Sequence, residues 1–263
     1  MHIHALDSYC PGSSLVHRLD PRVKLSLVGL FILTAALVPD REWAAFGVLE
    51  GLILLATLLS RVGWVRVQRR SAVALPFILA ALTVVFSTPG RVLWSTPLPG
   101  IPLSITEAGL LRFLSILTRS YLSVQAAILL AATTPFPDLL WGMRALRVPQ
   151  VLVTITGFLY RYLFVLADEA RRMLQAREAR SAAPDGKGGG GVAWRARVTG
   201  SMAGTLFLRS YERSERIYLA MLARGYNGSV RTLSPPSLRR VDWATGLLVG
   251  MLLMALLLST IAV

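Results

Sequence analysis

With 263 residues, 54% hydrophobic and only 16% charged, the chain is too apolar for an ordinary soluble domain and too poor in charge for a disordered one. Its 28 Lys and Arg against 14 Asp and Glu leave +14, but the arginines lie between apolar runs, which points to membrane orientation before nucleic acid. The one cysteine, Cys10, excludes an internal disulfide framework and fits a reducing compartment.

In chain order, the N-terminus lacks a basic segment followed by an apolar run and a small-residue cleavage site, so no cleaved signal peptide is expected. Apolar stretches follow at residues 25–38, 43–59, 72–88, 109–132 and 243–263, close to the roughly 20 residues that cross a bilayer. The fold class expected is an all-α integral membrane protein with about five transmembrane helices and a cytoplasmic coupling region of long amphipathic helices. Arg22 and Lys24 are expected to snorkel at the start of the first span. Arg18, Arg22 and Lys24 before span one, and Arg61, Arg66, Arg69 and Arg70 after span two, put those segments in the cytoplasm. The opposite loops hold only Arg41 and, in the Pro/Gly-rich "TPGRVLWSTPLPGIPL", Arg91. The N-terminus is then cytoplasmic and the C-terminus outside.

Residues 133–242 hold 17 of the 28 basic residues together with 8 acids, and read as cytoplasmic. Three regions result: 1–132, the tail and spans one to four; 133–242, the coupling region; and 243–263, the last span. "VPQVLVTITGFLYRYLFVLADEARRMLQAREARS" and "VAWRARVTGSMAGTLFLRSYERSERIYLAMLARG" both read as helices, with Pro149 in the first turn of the former. On the second, Phe207, Tyr211, Tyr218 and Leu222 fall near one face and Arg209, Arg213 and Arg216 on another. Asp168–Arg172 and Glu212–Arg216 have acid-first i,i+4 spacing. Gly200-x-x-x-Gly204 offers close approach to another helix. "PDGKGGGG" is a flexible linker; it lacks the G-x-x-x-x-G-K-[ST] phosphate loop.

Signals for chemistry are sparse. His2, His4, Cys10 and His17 match no zinc spacing, so neither a metal site nor a cofactor is expected. Glu50 stands alone in span two and Glu107 at the edge of span four, which leaves no carboxylate pair for acid–base work. Arg112, Arg119 and Gln125 on span four make a candidate intramembrane polar site, the alternative being that Arg119 meets backbone carbonyls or Gln125 within the bundle. Ala179-Arg180-Ser181 and Ala223-Arg224-Gly225 recur 44 residues apart, each closing an amphipathic helix. A terminal arginine suits the helix dipole, and Gly225 suits the position after the cap. The dipole does not account for the recurrence. Small neighbours leave each guanidinium as an open planar fork for a carboxylate, which suggests two equivalent partner sites.

Four segments carry a family resemblance. "SSLVHRLDPRVKL" (13–25), "AATTPFPDLLWGMRALRVP" (131–149), "DEARRMLQAREARS" (168–181) and "RSERIYLAMLARGY" (213–226) resemble the transmembrane T component of energy-coupling factor transporters, the EcfT/CbiQ family. The last two are similar to its paired Ala-Arg-Gly motifs, with Ser181 standing where the first has glycine. "FLYRYLFVLADEARRM" and Ser181 look closer to the cobalt/nickel branch than to the vitamin branch, and cobalt is the expected cargo, with nickel or a vitamin as alternatives. The resemblance implies a non-catalytic subunit of an importer in a prokaryotic inner membrane. Two partner ATP-binding cassette subunits hydrolyse ATP and dock at Arg180 and Arg224, and a small membrane subunit binds the substrate. A self-contained channel through Arg112, Arg119 and Gln125, or a membrane-bound enzyme, are the readings of other classes.

Overall fold

The computed structural model describes residues 9–96, 103–180, 191–228 and 237–261. The chain divides into two compact units, one of His2–Leu146 with Ser234–Val263, the other of Arg147–Leu233. His2, His4, Ser181 and Lys187 lie outside the described residues.

The first unit is a helical bundle. A short helix α1 (Leu15–Arg18) leads into α2 (Pro21–Leu37), where Asp20 caps the helix by accepting from Arg22 N at 2.9 Å and Pro21 takes the first turn. Next come α3 (Trp43–Ser60) and α4 (Trp64–Ser71), separated by Arg61 in the left-handed region at φ 56 and Gly63 at φ 91. The stretch read as span three breaks into a single 3₁₀ turn (Ala72–Ala74) and α5 (Leu75–Ser87). Pro76 explains the break, because it has no N–H and its ring crowds the carbonyl four residues back. Two strands follow, β1 (Val92–Thr96) and β2 (Leu103–Thr106), paired antiparallel with a bulge between Val92 and Trp94. That pairing corrects the reading of the Pro/Gly-rich stretch, residues 88–103, as loop. The rest of the unit is α6 (Glu107–Thr133), α7 (Phe136–Ala145) and α10 (Arg240–Ile261).

The centre of this unit is Phe31 and Ala35 of α2, Phe46, Leu49 and Ile53 of α3, Leu122 and Ala126 of α6, and Leu253 of α10. Between membrane helices such contacts act through close packing more than through removal of apolar surface from water. At the α5–α6 crossing, a Cβ on Gly109 would stand 2.5 Å from Val85 O. Thr106 fixes that corner by donating to Thr88 O at 2.8 Å and accepting from Gly109 N at 3.0 Å.

The second unit is an antiparallel pair, α8 (Gln150–Arg180) and α9 (Val192–Ala223). Gln150 Nε2 donates to Gly228 O at 3.2 Å, and midway along the pair Arg209 binds Glu169 at 2.8 Å. Pro149 lies one residue before α8, its carbonyl accepting from Leu152 N at 3.0 Å. Arg172 turns to Glu169 at 3.2 Å instead of Asp168, whereas Glu212–Arg216 forms as spaced, at 3.8 Å. Gly200 and Gly204 have open space where a side chain would go, so the small-residue face meets no described helix.

By length and composition, α3, α6, α8 and Arg240–Thr260 of α10 can each cross a membrane. With 17 and 13 residues, α2 and α5 are shorter, about 26 and 20 Å against a hydrocarbon core of about 30 Å.

Candidate functional site

The two terminal arginines occupy equivalent places on their helices. Ala179 and Arg180 are exposed at the last turn of α8, and Ala223 and Arg224 are exposed at the end of α9. At α9 the ending is a full Schellman motif. Arg224 is the cap residue and Gly225 follows at φ 80, while Tyr226 N donates to Met221 O at 3.0 Å and Gly225 N to Leu222 O at 2.9 Å. Glycine at this position relieves the Cβ clash of a positive φ, so the chain turns away at once and leaves the Arg224 guanidinium uncovered. Ser181, the corresponding residue after α8, lies outside the described residues.

Because the helices run antiparallel, the two forks lie at opposite ends of the pair. Arg180 shares a cleft of about 790 Å³ with Trp194 and Val198 near the start of α9. From Val198 to Arg224 the helix rises about 40 Å, at about 1.5 Å per residue. In that cleft Glu169 is the one carboxylate, already held by Arg172 and Arg209, so the remaining surface is basic. The aromatic stripe of α9 is on the outside: Phe207, Tyr211, Tyr218 and Leu222 are 68%, 61%, 52% and 45% exposed. Ser210, Arg213, Ile217 and Met221 line a cleft with Phe158 and Tyr162 of α8, which Tyr218 also borders. The half-buried face of α9 carries Val198, Met202, Leu206, Ile217 and Met221 with Ser210 and Arg213 among them, and the aromatic stripe is left on the outer side.

The intramembrane candidates do not form one site. Arg112 is exposed. Arg119 reaches across to the turn after α2, donating to Val38 O and pairing with Asp40, both at 2.6 Å. Ser115 Oγ joins the same turn by donating to Asp40 O at 2.7 Å. Gln125 is fully buried, and neither its Nε2 nor its Oε1 has a hydrogen-bond partner. Cys10 and His17 are likewise engaged locally, with Arg66 Nη1 3.0 Å from Cys10 Sγ and the His17 ring bridging Ser14 Oγ and Cys10 O.

Composition gave no sign of a buried polar cluster at the start of α2. Lys24 does not snorkel; it is buried, and its ammonium donates to His17 O at 3.3 Å, Thr133 O at 3.1 Å and Thr134 Oγ1 at 3.0 Å. Asp242 Oδ1 accepts from Asp20 N at 3.1 Å, and its Oδ2 accepts from Arg239 N at 2.8 Å. The only sequence trace of this arrangement is the charged run "HRLDPRVK", which carries no hint of its distant partners.

With that geometry in place, comparison with known proteins decides the family. A family model described as cobalt transport protein, CbiQ, matches residues 12–234. The chain belongs to the CbiQ family. Among its curated relatives, the energy-coupling factor transporter transmembrane protein EcfT of Limosilactobacillus fermentum is 30% identical over 236 residues, 84% of this chain and 83% of that one. EcfT of Thermosediminibacter oceani is 26% identical over 265 residues, 97% of each chain. The nickel permease LarQ of Lactiplantibacillus plantarum is 37% identical over 112 residues, 42% of this chain and 37% of its own length. This CbiQ-family chain is therefore a multi-pass transmembrane component of the energy-coupling factor class.

Proposed function

We propose that the chain couples ATP hydrolysis on two partner ATPase subunits to import of cobalt ion through a small substrate-binding membrane subunit. The chain itself hydrolyses nothing. One observation carries the reading: two exposed arginines, each at a helix C-terminus, lie at opposite ends of an antiparallel helix pair. Placed at opposite ends, the two forks can each address a separate subunit. Each guanidinium enters a groove on one ATPase subunit and takes a carboxylate there.

The uncovered stripes of the second unit, Phe207, Tyr211 and Tyr218 on α9 and Ile155 and Leu159 on α8, meet the substrate-binding subunit. The protein resides in a prokaryotic inner membrane. The basic segments put the N-terminus and the coupling region in the cytoplasm and the C-terminus outside. Nickel is the second reading of the cargo, favoured by the likeness to a nickel permease over 112 residues.

Removing one member of a desolvated charge pair costs roughly 2–5 kcal/mol, about 30-fold or more in affinity. Arg180→Glu with Arg224→Glu is expected to release the ATPase subunits in detergent while the bundle stays folded. Normal co-purification of the ATPases with the double variant would overturn the docking assignment. Uptake of labelled cobalt against nickel by the reconstituted complex decides the cargo. Flux through liposomes holding this chain alone would favour a self-contained channel instead.

A further inference from the structure

The coupling unit is spliced into the bundle at two points, for the chain leaves the bundle after Leu146 and re-enters it at Ser234. Along the chain, the intervening segment is joined to the bundle at α7, which ends at Ala145, and ahead of α10, which starts at Arg240. Both of these places are tied to the first turn of α2. On the α7 side, Gly142 lies so close to Pro21 that an added Cβ would be 3.3 Å from the Pro21 carbonyl carbon and oxygen. The Arg22 guanidinium stacks 4.0 Å above the Trp141 ring. On the α10 side, Asp242 holds the backbone of Asp20.

Lys24 sits at the meeting point. Its three donors all go to neutral oxygens, two of them at Thr133 and Thr134, where α6 ends and the turn into α7 begins. Three carboxylates act on the same ammonium through space, Asp138 of α7, Asp20 and Asp242 of α10. Among the described residues none of them is within ion-pair distance of it. The four groups line one cavity of about 360 Å³, together with His17, Arg18 and Arg239. Asp20 Oδ2 is buried there without a hydrogen-bond partner.

A buried ammonium whose protons rest on two carbonyls and a hydroxyl, with an unpaired carboxylate oxygen nearby, has a second arrangement within reach. Charge interactions are strong and steeply position-dependent in such low-dielectric surroundings, so a small shift of α7 or α10 changes which acceptors hold Lys24. Elements with two discrete packings are what convert small displacements into larger ones.

We propose that Lys24, with Asp20, Asp138 and Asp242, is the junction through which movement of the coupling unit is passed to the membrane helices. Lys24 acts as a positioning residue. The inference rests on the coupling role proposed above, since it concerns how that role is carried inside this chain.

The test is Lys24→Met in the full complex with its ATPase and substrate-binding subunits, reconstituted in liposomes. The quantity read is ATP hydrolysed per labelled cobalt ion imported. The expected result is retained ATPase subunits and continued hydrolysis, with at least ten times more ATP consumed per ion. A ratio equal to wild type overturns the proposal, even where total activity falls with the amount of folded protein, because the lysine is then only structural. Where Lys24→Met yields no folded complex, the isosteric Asp138→Asn decides: a raised ratio supports the junction and an unchanged ratio overturns it. The wild-type arm separates this proposal from the one beneath it. Absence of bound ATPase in wild type overturns the coupling role and the junction together, whereas coupled wild type with equally coupled variants overturns the junction alone.

Discussion

Arg119 and Gln125 lie on one helix, yet they meet quite different surroundings. Six residues at about 100° each put Gln125 about 240° round the helix from Arg119, which rules it out as a direct partner. Arg119 instead finds Val38 O and Asp40 across the bundle. Its need for a carbonyl or a polar group was legible from a charge inside an apolar run; the identity of Asp40, 79 residues away, was not. Gln125 is the opposite case, with donor and acceptor both buried and unpaired. A buried polar group without partners costs about 1–3 kcal/mol. Gln125→Leu is therefore expected to unfold in detergent at the wild-type temperature or above it. A fall of several degrees in the melting midpoint would show that the amide is held by a partner in the assembled bundle.

For whole elements, the long helices were readable because apolar periodicity and end signals agree. The Gly225 ending of α9 follows from local chemistry that glycine alone satisfies well. Two features escaped for different reasons. Pro76 sits inside an apolar run whose hydropathy hides the break it causes. The β1–β2 hairpin sits among prolines and glycines that read as loop, although "VLWST" has strand character. Which face of α9 packs was also hidden, since the sequence offers two apolar series, the aromatic stripe and the Val198, Met202, Leu206, Ile217, Met221 series, and only the second is half-buried. Helix crossings leave a sharper mark in glycine. Gly109→Ala forces a Cβ to 2.5 Å from Val85 O, in backbone that cannot swing aside. The expected cost is about 1–3 kcal/mol. Gly250→Ala enters open space in α10 and should be neutral or stabilising by up to about 1 kcal/mol. Thermal unfolding of the pair checks both, and equal midpoints would mean that α5 and α6 cross less tightly than described.

Across the whole molecule, net charge has a direct experimental signature. The second unit carries an excess of arginine over acid and keeps both Arg180 and Arg224 exposed. Exposed charges are screened beyond about 10 Å at 0.1 M salt and beyond about 3 Å at 1 M. Association of the ATPase subunits should therefore slow markedly between these salt concentrations, with a smaller change in dissociation once the forks are seated. A salt-independent association rate would mean that the arginines do not steer docking. Composition shows an arginine-rich segment at 133–242, and the compact second unit spans Arg147–Leu233. The polar cluster of Asp20, Lys24, Asp138 and Asp242 was not visible there, because these residues are brought together only by the fold.

The antiparallel run of α8 and α9 has a geometric consequence. A half-turn about an axis through the middle of the pair, near Glu169 and Arg209, exchanges the two helix C-termini and so exchanges Arg180 with Arg224. A single polypeptide with no sequence repeat of the helices themselves thus offers an approximate dyad. Two copies of one protein related by a twofold axis can each meet the same chemical group in the same orientation, the natural match for a symmetric dimer. Any departure from equal engagement of the two copies would then trace to the residues after each arginine, Ser181 and Gly225.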